Sequence, residues 1–395
     1  MIPKLNRKFP STYDMERAAL RRMPKFMADY VSGGMGLGLN LRRNRETLDA
    51  VRLMPRYLVE DGAIDLSVSL FGQTFGAPFG VAPVGNGGSV WPGSAEALAR
   101  EARDRQQPFG VSTVAVSSLE KLKAAAGDMG WFQLYRPNVP EIEADVLRRA
   151  KEAGYKVLMV TVDVPDFLRR DHDIRNNFGS EFSLTDPATF WQLLTHPSWT
   201  YASWRHGMPK LETLLHYAPA GRSARERDRF VFGLLPGHVG PEDLRRLREN
   251  WDGILLAKGI LDPVEAALCQ SIGLDGVVVS NHGGRQLEAA PSAIEVLPAI
   301  RRAVGPDFAL IADGGVRTGL DICRMLAVGA DFVLIGRAFY YAMGAMGLAG
   351  APHVFDVLTA ELRTMMGQLG VTDPRDLPER LITSPELPVA TGADD

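Results

Sequence analysis

A histidine and an arginine three residues apart, His282 and Arg285, follow directly on a run of β-branched residues in the stretch Val277-Val278-Val279-Ser280-Asn281-His282-Gly283-Gly284-Arg285-Gln286-Leu287. An imidazole takes a proton near neutral pH, and a guanidinium presents paired N–H donors to the two oxygens of a carboxylate. The pair therefore suggests a base beside an anion clamp. A lone histidine after a strand is more often a structural hydrogen-bonder, so the reading depends on partners. Asp163 is a candidate one, because a carboxylate beside an imidazole fixes its tautomer and stabilises the protonated ring. Arg170 is a second arm for the clamp, although in the run Arg169-Arg170-Asp171-His172-Asp173 it reads equally as a solvated loop charge. Two further stretches, Asp313-Gly314-Gly315-Val316-Arg317 and Gly336-Arg337, join glycine to arginine. Glycine lets backbone N–H groups approach an anion and arginine pairs with it, which points to a phosphate-bearing cofactor.

These groups need a scaffold that brings distant stretches to one place. The apolar run before Ser280 reads as a strand buried on both faces, as in a parallel sheet, where ligands sit at the C-terminal strand ends. Seven similar runs end in Gly, Ser, Asp or other polar residues, and amphipathic helical patterns alternate with them. Strands are expected over 79–83, 109–112, 131–135, 157–163, 254–258, 277–280, 309–313 and 332–335. Eight βα units in series fit an α/β fold of the closed (β/α)8 TIM barrel type better than an open doubly wound sheet. The strand ends then share one mouth: Pro83, Val84 and Gly85, then Ser112, Gln133 and Tyr135, Thr161 and Asp163, Lys258, and Ser280 with His282. An N-terminal helical preface occupies 1–60, with Ser11 or Thr12 capping one helix, Pro24 opening the next and Gly33-Gly34 ending it. A single domain over 1–395 is expected.

Between the fourth and fifth strands lies an insertion of about 75 residues, 166–240, long enough to be functional or disordered. It holds three of the six tryptophans, Trp191, Trp199 and Trp204. With Tyr201, Leu193, Leu194, Arg205 and Lys210 they suit the headgroup boundary of a membrane, or else pack the insertion onto the barrel. Residues 220–229, small and charged, read as a mobile linker.

Composition narrows the function classes. The chain has 395 residues, 46% of them hydrophobic, and a net charge of −3. It can bury a large core, and it shows no basic stripe for nucleic acid. Cys269 and Cys323 lack metal-ligand spacing, so no metal site is expected and a reducing, cytoplasmic compartment fits. No window of about 18 apolar residues occurs and the first ten residues lack an apolar signal region, so neither a membrane span nor secretion by that route is expected.

Ser280-Asn281-His282-Gly283-Gly284-Arg285-Gln286-Leu287 resembles the signature of the FMN-dependent 2-hydroxy acid dehydrogenases and oxidases. The resemblance runs through Pro24-Lys25 before Asp29-Tyr30, Gln133-Leu134-Tyr135, Thr161-Val162-Asp163, Lys258-Gly259, Asp313-Gly314-Gly315 and Gly336-Arg337. Ala82-Pro83-Val84-Gly85, His206-Gly207-Met208-Pro209 and Trp251-Asp252-Gly253 are similar to the mandelate dehydrogenase and quinone-dependent L-lactate dehydrogenase branch. The resemblance implies that His282 is the base, Asp163 its partner and Tyr135 a group on the substrate hydroxyl. It implies that Tyr30, Arg170 and Arg285 hold the substrate carboxylate. FMN would meet Pro83, Val84, Gly85, Ser112, Gln133, Thr161, Lys258, Ser280 and Asp313, with its phosphate on Gly314, Gly315, Arg317, Gly336 and Arg337. An (S)-2-hydroxy acid, mandelate-like or lactate, would be oxidised to the 2-oxo acid, with electrons passing to a quinone-type acceptor; Gly85 in place of alanine resembles the dehydrogenase branch. The alternatives are an oxidase that reduces oxygen to peroxide and a non-catalytic flavin-binding scaffold. A homotetramer and a peripheral contact with the inner face of the membrane through 180–215 are also implied. Glu288 departs from the aspartate usual in the family, and its extra methylene is expected to shift the loop beside Arg285.

Overall fold

A computed structural model describes residues 3–60, 62–166, 169–176, 183, 186–207, 209–235 and 237–382. Among them, ten strands form two sheets. Strands β1 (Val68–Leu70) and β2 (Gln73–Phe75) make an antiparallel hairpin. Strands β3 (Phe79–Val81), β4 (Phe109–Ser112), β5 (Gly130–Leu134), β6 (Val157–Thr161), β7 (Ile254–Ile260), β8 (Gly276–Val279), β9 (Ala309–Ala312) and β10 (Phe332–Ile335) are parallel and close into a barrel, with β10 pairing to β3. Helices follow the strands and cover the outside, so the fold is the expected (β/α)8 barrel. The expected strand positions hold, within two residues at each end.

Alternation along the strands sorts the side chains. In β5, Trp131 faces the barrel interior with Met159, Leu256, Val278, Ile311 and Phe332, while Phe132 faces the helices. The hairpin, which the sequence reading did not place, seals the lower end. Its two-residue turn, Phe71-Gly72, has φ of 53° and 71°, the left-handed pair that a tight hairpin requires. Phe75 then stands edge-on to Trp131 with centroids 5.9 Å apart. The interior is therefore filled at the N-terminal end, and open space remains at the C-terminal mouth.

The preface forms helices Thr12–Arg22, Lys25–Ser32 and Leu39–Ala50. Ser11 caps the first by accepting the Asp14 N–H. In the insertion, helices Pro187–Thr195 and Pro197–His206 follow one another with only His196 between them and form a helix pair. The expected linker around 220–229 instead contains the helix Ala224–Gly233, started by a capping box between Ser223 and Glu226. The insertion roofs one side of the mouth. Trp199 Nε1 donates to the Val90 carbonyl, Thr213 Oγ1 accepts the Leu119 N–H, and the Leu234 carbonyl accepts the Asn138 N–H, so loops after β3, β4 and β5 are each tied to it. Trp199 is 2% exposed and belongs to the core, not to an outer aromatic face. Phe190, Trp191, Leu194, Tyr201 and Trp204 do face outward. Among the described residues no helix is long and apolar enough to cross a membrane.

Candidate active site

At the end of β8 the chain turns sharply: His282, Gly283 and Gly284 all have positive φ, at 57°, 63° and 76°. For a histidine this is a costly conformation, and the surroundings hold it in place. The His282 N–H donates to Ser280 Oγ at 3.0 Å. Asn281 Oδ1 accepts the Gly284 N–H, and the same buried amide exchanges hydrogen bonds of 2.7 and 3.0 Å with Asn44 and donates to Asn40 Oδ1 at 2.8 Å. The preface helix Leu39–Ala50 thus braces the histidine loop from outside the barrel.

His282 Nδ1 lies 3.1 Å from both carboxylate oxygens of Asp163. Burial raises the Asp163 carboxyl, but the His282 charge, its hydrogen bond and Lys258 outweigh this and hold it below the ordinary value. An ionised carboxylate only accepts, so Nδ1 carries the proton and Nε2 presents a lone pair. The Tyr135 hydroxyl donates to that lone pair at 3.0 Å. Burial depresses the His282 pKa more than Asp163 raises it, with Lys258 and Arg170 adding to the depression, so the imidazole is neutral at pH 7 and able to act as a base.

Arginines surround this pair. Arg285 Nη1 donates to the carbonyls of Tyr30 at 2.6 Å and Gly33 at 2.9 Å, and its guanidinium lies over the Tyr30 ring. Arg285 is pulled below its ordinary pKa by burial and by Arg170. Arg170 Nε is buried without a hydrogen bond among the described residues. Tyr30 donates its hydroxyl to the Gly85 carbonyl at 2.5 Å. These side chains line one cavity of about 800 Å³, within the range of small-molecule and cofactor sites.

The cavity continues to the loops after β9 and β10. Gly314 and Gly315 have φ of 105° and 81°, and a Cβ on Gly315 would stand 2.8 Å from the Asn44 carbonyl. Among the described residues no acceptor takes either glycine N–H, and Arg317 Nε is buried without a hydrogen bond. Arg337 directs Nε, Nη1 and Nη2 to the carbonyls of Val31, Gly283 and Gly33. Burial, with Arg285 and Arg317 nearby, lowers its pKa to about 9. Buried positive charge, two open N–H groups and a guanidinium nitrogen that has Glu16 at 3.8 Å but no hydrogen bond suit a phosphate dianion. Lys258 is buried, 3.0 Å from both Ser280 Oγ and Asp313 Oδ2. Gln133 accepts from Ser112 at 2.8 Å and donates to Thr161 at 2.6 Å, forming one chain across three strand ends. Pro83, Val84, Gly85 and Gly336 complete the wall, while Ser112, Gln133 and Ser280 are buried at the adjoining strand ends. A cofactor with polar heterocyclic edges and a phosphate tail fits this donor set.

The structure brings the expected site residues to the C-terminal mouth, all but Asp163, Ser112, Gln133 and Ser280 lining the cavity. Sequence reasoning did not single out Asn40, Asn44, Asn281 or Gln192, although two asparagines four apart on one amphipathic helix are a readable signal for the first two.

Comparison with known proteins is consistent with this geometry. Residues 19–384 match the model of the FMN-dependent dehydrogenases. The L-lactate dehydrogenase of Caulobacter vibrioides is 38% identical over 377 residues, covering 94% of this chain and 97% of that protein. Among solved structures, the monotopic membrane protein (S)-mandelate dehydrogenase matches with a TM-score of 0.89 at 33% identity, over 95% of this chain and 99% of the other. A mandelate oxidase structure matches with a TM-score of 0.78 at 31% identity, over 95% and 98%. The chain belongs to the FMN-dependent dehydrogenase family, with FMN as its cofactor.

Proposed function

We propose that the protein oxidises an (S)-2-hydroxy acid, lactate or a mandelate-like acid, to the 2-oxo acid and delivers the electrons to a quinone-type acceptor. The observation that carries this reading is His282, held by Asp163 on Nδ1 and bonded to Tyr135 through Nε2, facing a cavity that also holds Tyr135, Arg285 and Arg170. A base beside two guanidiniums is what a substrate with a proton to lose and a neighbouring carboxylate requires. The relatives named as L-lactate and (S)-mandelate dehydrogenases support the substrate class.

Oxidation removes two electrons and two protons from the C2–O–H unit, and bound FMN supplies the two-electron acceptor chemistry. The chain supplies the remainder. Arg285, with Nε and Nη2 uncommitted among the described residues, and Arg170 orient the carboxylate; Tyr30 backs them. Nε2 of His282 takes a proton, Asp163 stabilises the resulting imidazolium, and Tyr135 positions the substrate hydroxyl in place of its own contact with Nε2. Gln133, Lys258 and Thr161 would hold the flavin ring, and Gly314, Gly315, Arg317, Gly336 and Arg337 its phosphate.

The quinone-type acceptor and peripheral membrane attachment are supported by the outward Phe190, Trp191, Leu194, Tyr201 and Trp204 and by likeness to a monotopic membrane protein. A homotetramer is what the motif resemblance implies, and solution mass tests it. Likeness to a mandelate oxidase favours oxygen as the other acceptor. Anaerobic reduction followed by stopped-flow reoxidation separates the two: fast reaction with quinone analogues and slow reaction with oxygen supports the proposal, and oxygen keeping pace with turnover overturns it.

A further inference from the structure

The helix Lys25–Ser32, eight residues long, carries Tyr30 and is tied at both ends by side chains from distant parts of the chain. It begins after Pro24, which offers no side-chain acceptor to the first-turn N–H groups. Gln192 provides one: its Oε1 accepts the Phe26 N–H at 2.8 Å. The Phe26 ring stands edge-on to Trp199 with centroids 5.7 Å apart. Both partners belong to the insertion's helix pair, whose outer surface exposes Trp191 and Trp204. At the other end, the carbonyls of Tyr30, Val31 and Gly33 accept from Arg285 and Arg337, cations placed where a helix C-terminus favours them. One short helix therefore joins the aromatic helix pair to two arginines of the cavity.

We propose that Gln192 is a positioning residue for substrate capture. By capping the Lys25–Ser32 helix it fixes Tyr30 and, through the C-terminal carbonyls, Arg285, so the seating of the helix pair sets the affinity for the substrate carboxylate. The inference rests on the reading of the cavity as a 2-hydroxy acid site. His282 takes its own anchors, Asp163 and Ser280, from strand ends and not from this helix. Loosening the helix therefore weakens capture without disarming the base.

The test compares FMN-loaded parent, Gln192→Leu and Gln192→Glu proteins, measuring KM and kcat for the 2-hydroxy acid and the Kd of oxalate from flavin absorbance. Leucine removes the acceptor; glutamate keeps it and suits the positive end of a helix. Gln192→Leu should raise KM and the oxalate Kd roughly three- to tenfold, the span of losing a helix cap, while kcat changes by less than about twofold. Gln192→Glu should restore both constants. Unchanged KM and oxalate Kd in Gln192→Leu, whatever happens to its Tm, or a glutamate variant as impaired as the leucine one, would overturn the proposal. If no 2-hydroxy acid is turned over but oxalate binding still weakens with leucine and recovers with glutamate, the functional reading falls and the cap stands.

Discussion

The Tyr135 hydroxyl lies 3.0 Å from His282 Nε2, on the side of the ring opposite Asp163. One neighbour fixes the proton on Nδ1, and the other marks the side from which the proposed substrate must approach Nε2.

The pH profile follows from this arrangement. Burial holds His282 below 6.5 against the upward pull of Asp163. A base acts in its neutral form, so kcat/KM should be level at pH 7 and fall as pH drops through a pKa below 6.5. Asp163→Asn removes the upward pull, so the acid limb should move to lower pH. The plateau should drop by roughly two to four orders of magnitude. Initial rates in buffers of constant ionic strength check both, and an acid limb that stays in place would show that another group titrates.

Arg285→Lys should lower kcat/KM about 10- to 100-fold, the cost of losing a charged hydrogen-bonded contact. A lysine ammonium cannot bridge the Tyr30 and Gly33 carbonyls and still present a fork to a carboxylate. Steady-state kinetics with the FMN content confirmed would show it; an unchanged kcat/KM removes Arg285 from the site.

Asn44→Leu should destabilise the protein by about 1–3 kcal/mol, because it strips partners from the buried Asn281 amide. Urea unfolding measures this. Since Asn281 also holds the Gly284 N–H, turnover should fall together with stability.

Trp191→Ser combined with Trp204→Ser should release the protein from anionic vesicles while leaving turnover with a soluble dye intact, since both rings point outward. Co-sedimentation checks it. Excising 180–215 would not be a clean test, because that span contains Gln192 and Trp199, which contact the Phe26 helix, and Lys210, which lines the cavity.

The barrel was legible because each strand is a short apolar run closed by a polar residue, and eight such runs in series leave few topologies. His282, Arg285 and the two glycine loops were legible for a related reason: their chemistry is concentrated in short strings. The bottom hairpin was not, since its turn uses Phe71-Gly72 in place of the asparagine-glycine pair that marks such turns. Trp199 could not be told from its outward-facing neighbours, because amphipathic aromatics look alike until burial is known. Glu288 shows the same limit. Its carboxylate accepts the Leu39 N–H at 2.9 Å, at the start of the helix that holds Asn40 and Asn44. Gly36 makes room, since a Cβ there would lie 2.3 Å from Glu288 Oε2. The longer side chain is a latch to the preface helix, a role that only the approach of two distant segments reveals.

The central claim, a histidine base oxidising a 2-hydroxy acid in an FMN barrel, is tested most directly by comparing the FMN-loaded parent with His282→Asn. Turnover of lactate, glycolate and mandelate would be followed with a dye acceptor and with oxygen alone. The parent should oxidise at least one of the acids and reduce the dye. The variant should keep its flavin, since most of the expected contacts lie on other strands, yet lose about 10²- to 10⁴-fold in kcat. Comparable turnover in the flavin-loaded variant, or a yellow parent that oxidises none of the three acids, would contradict it.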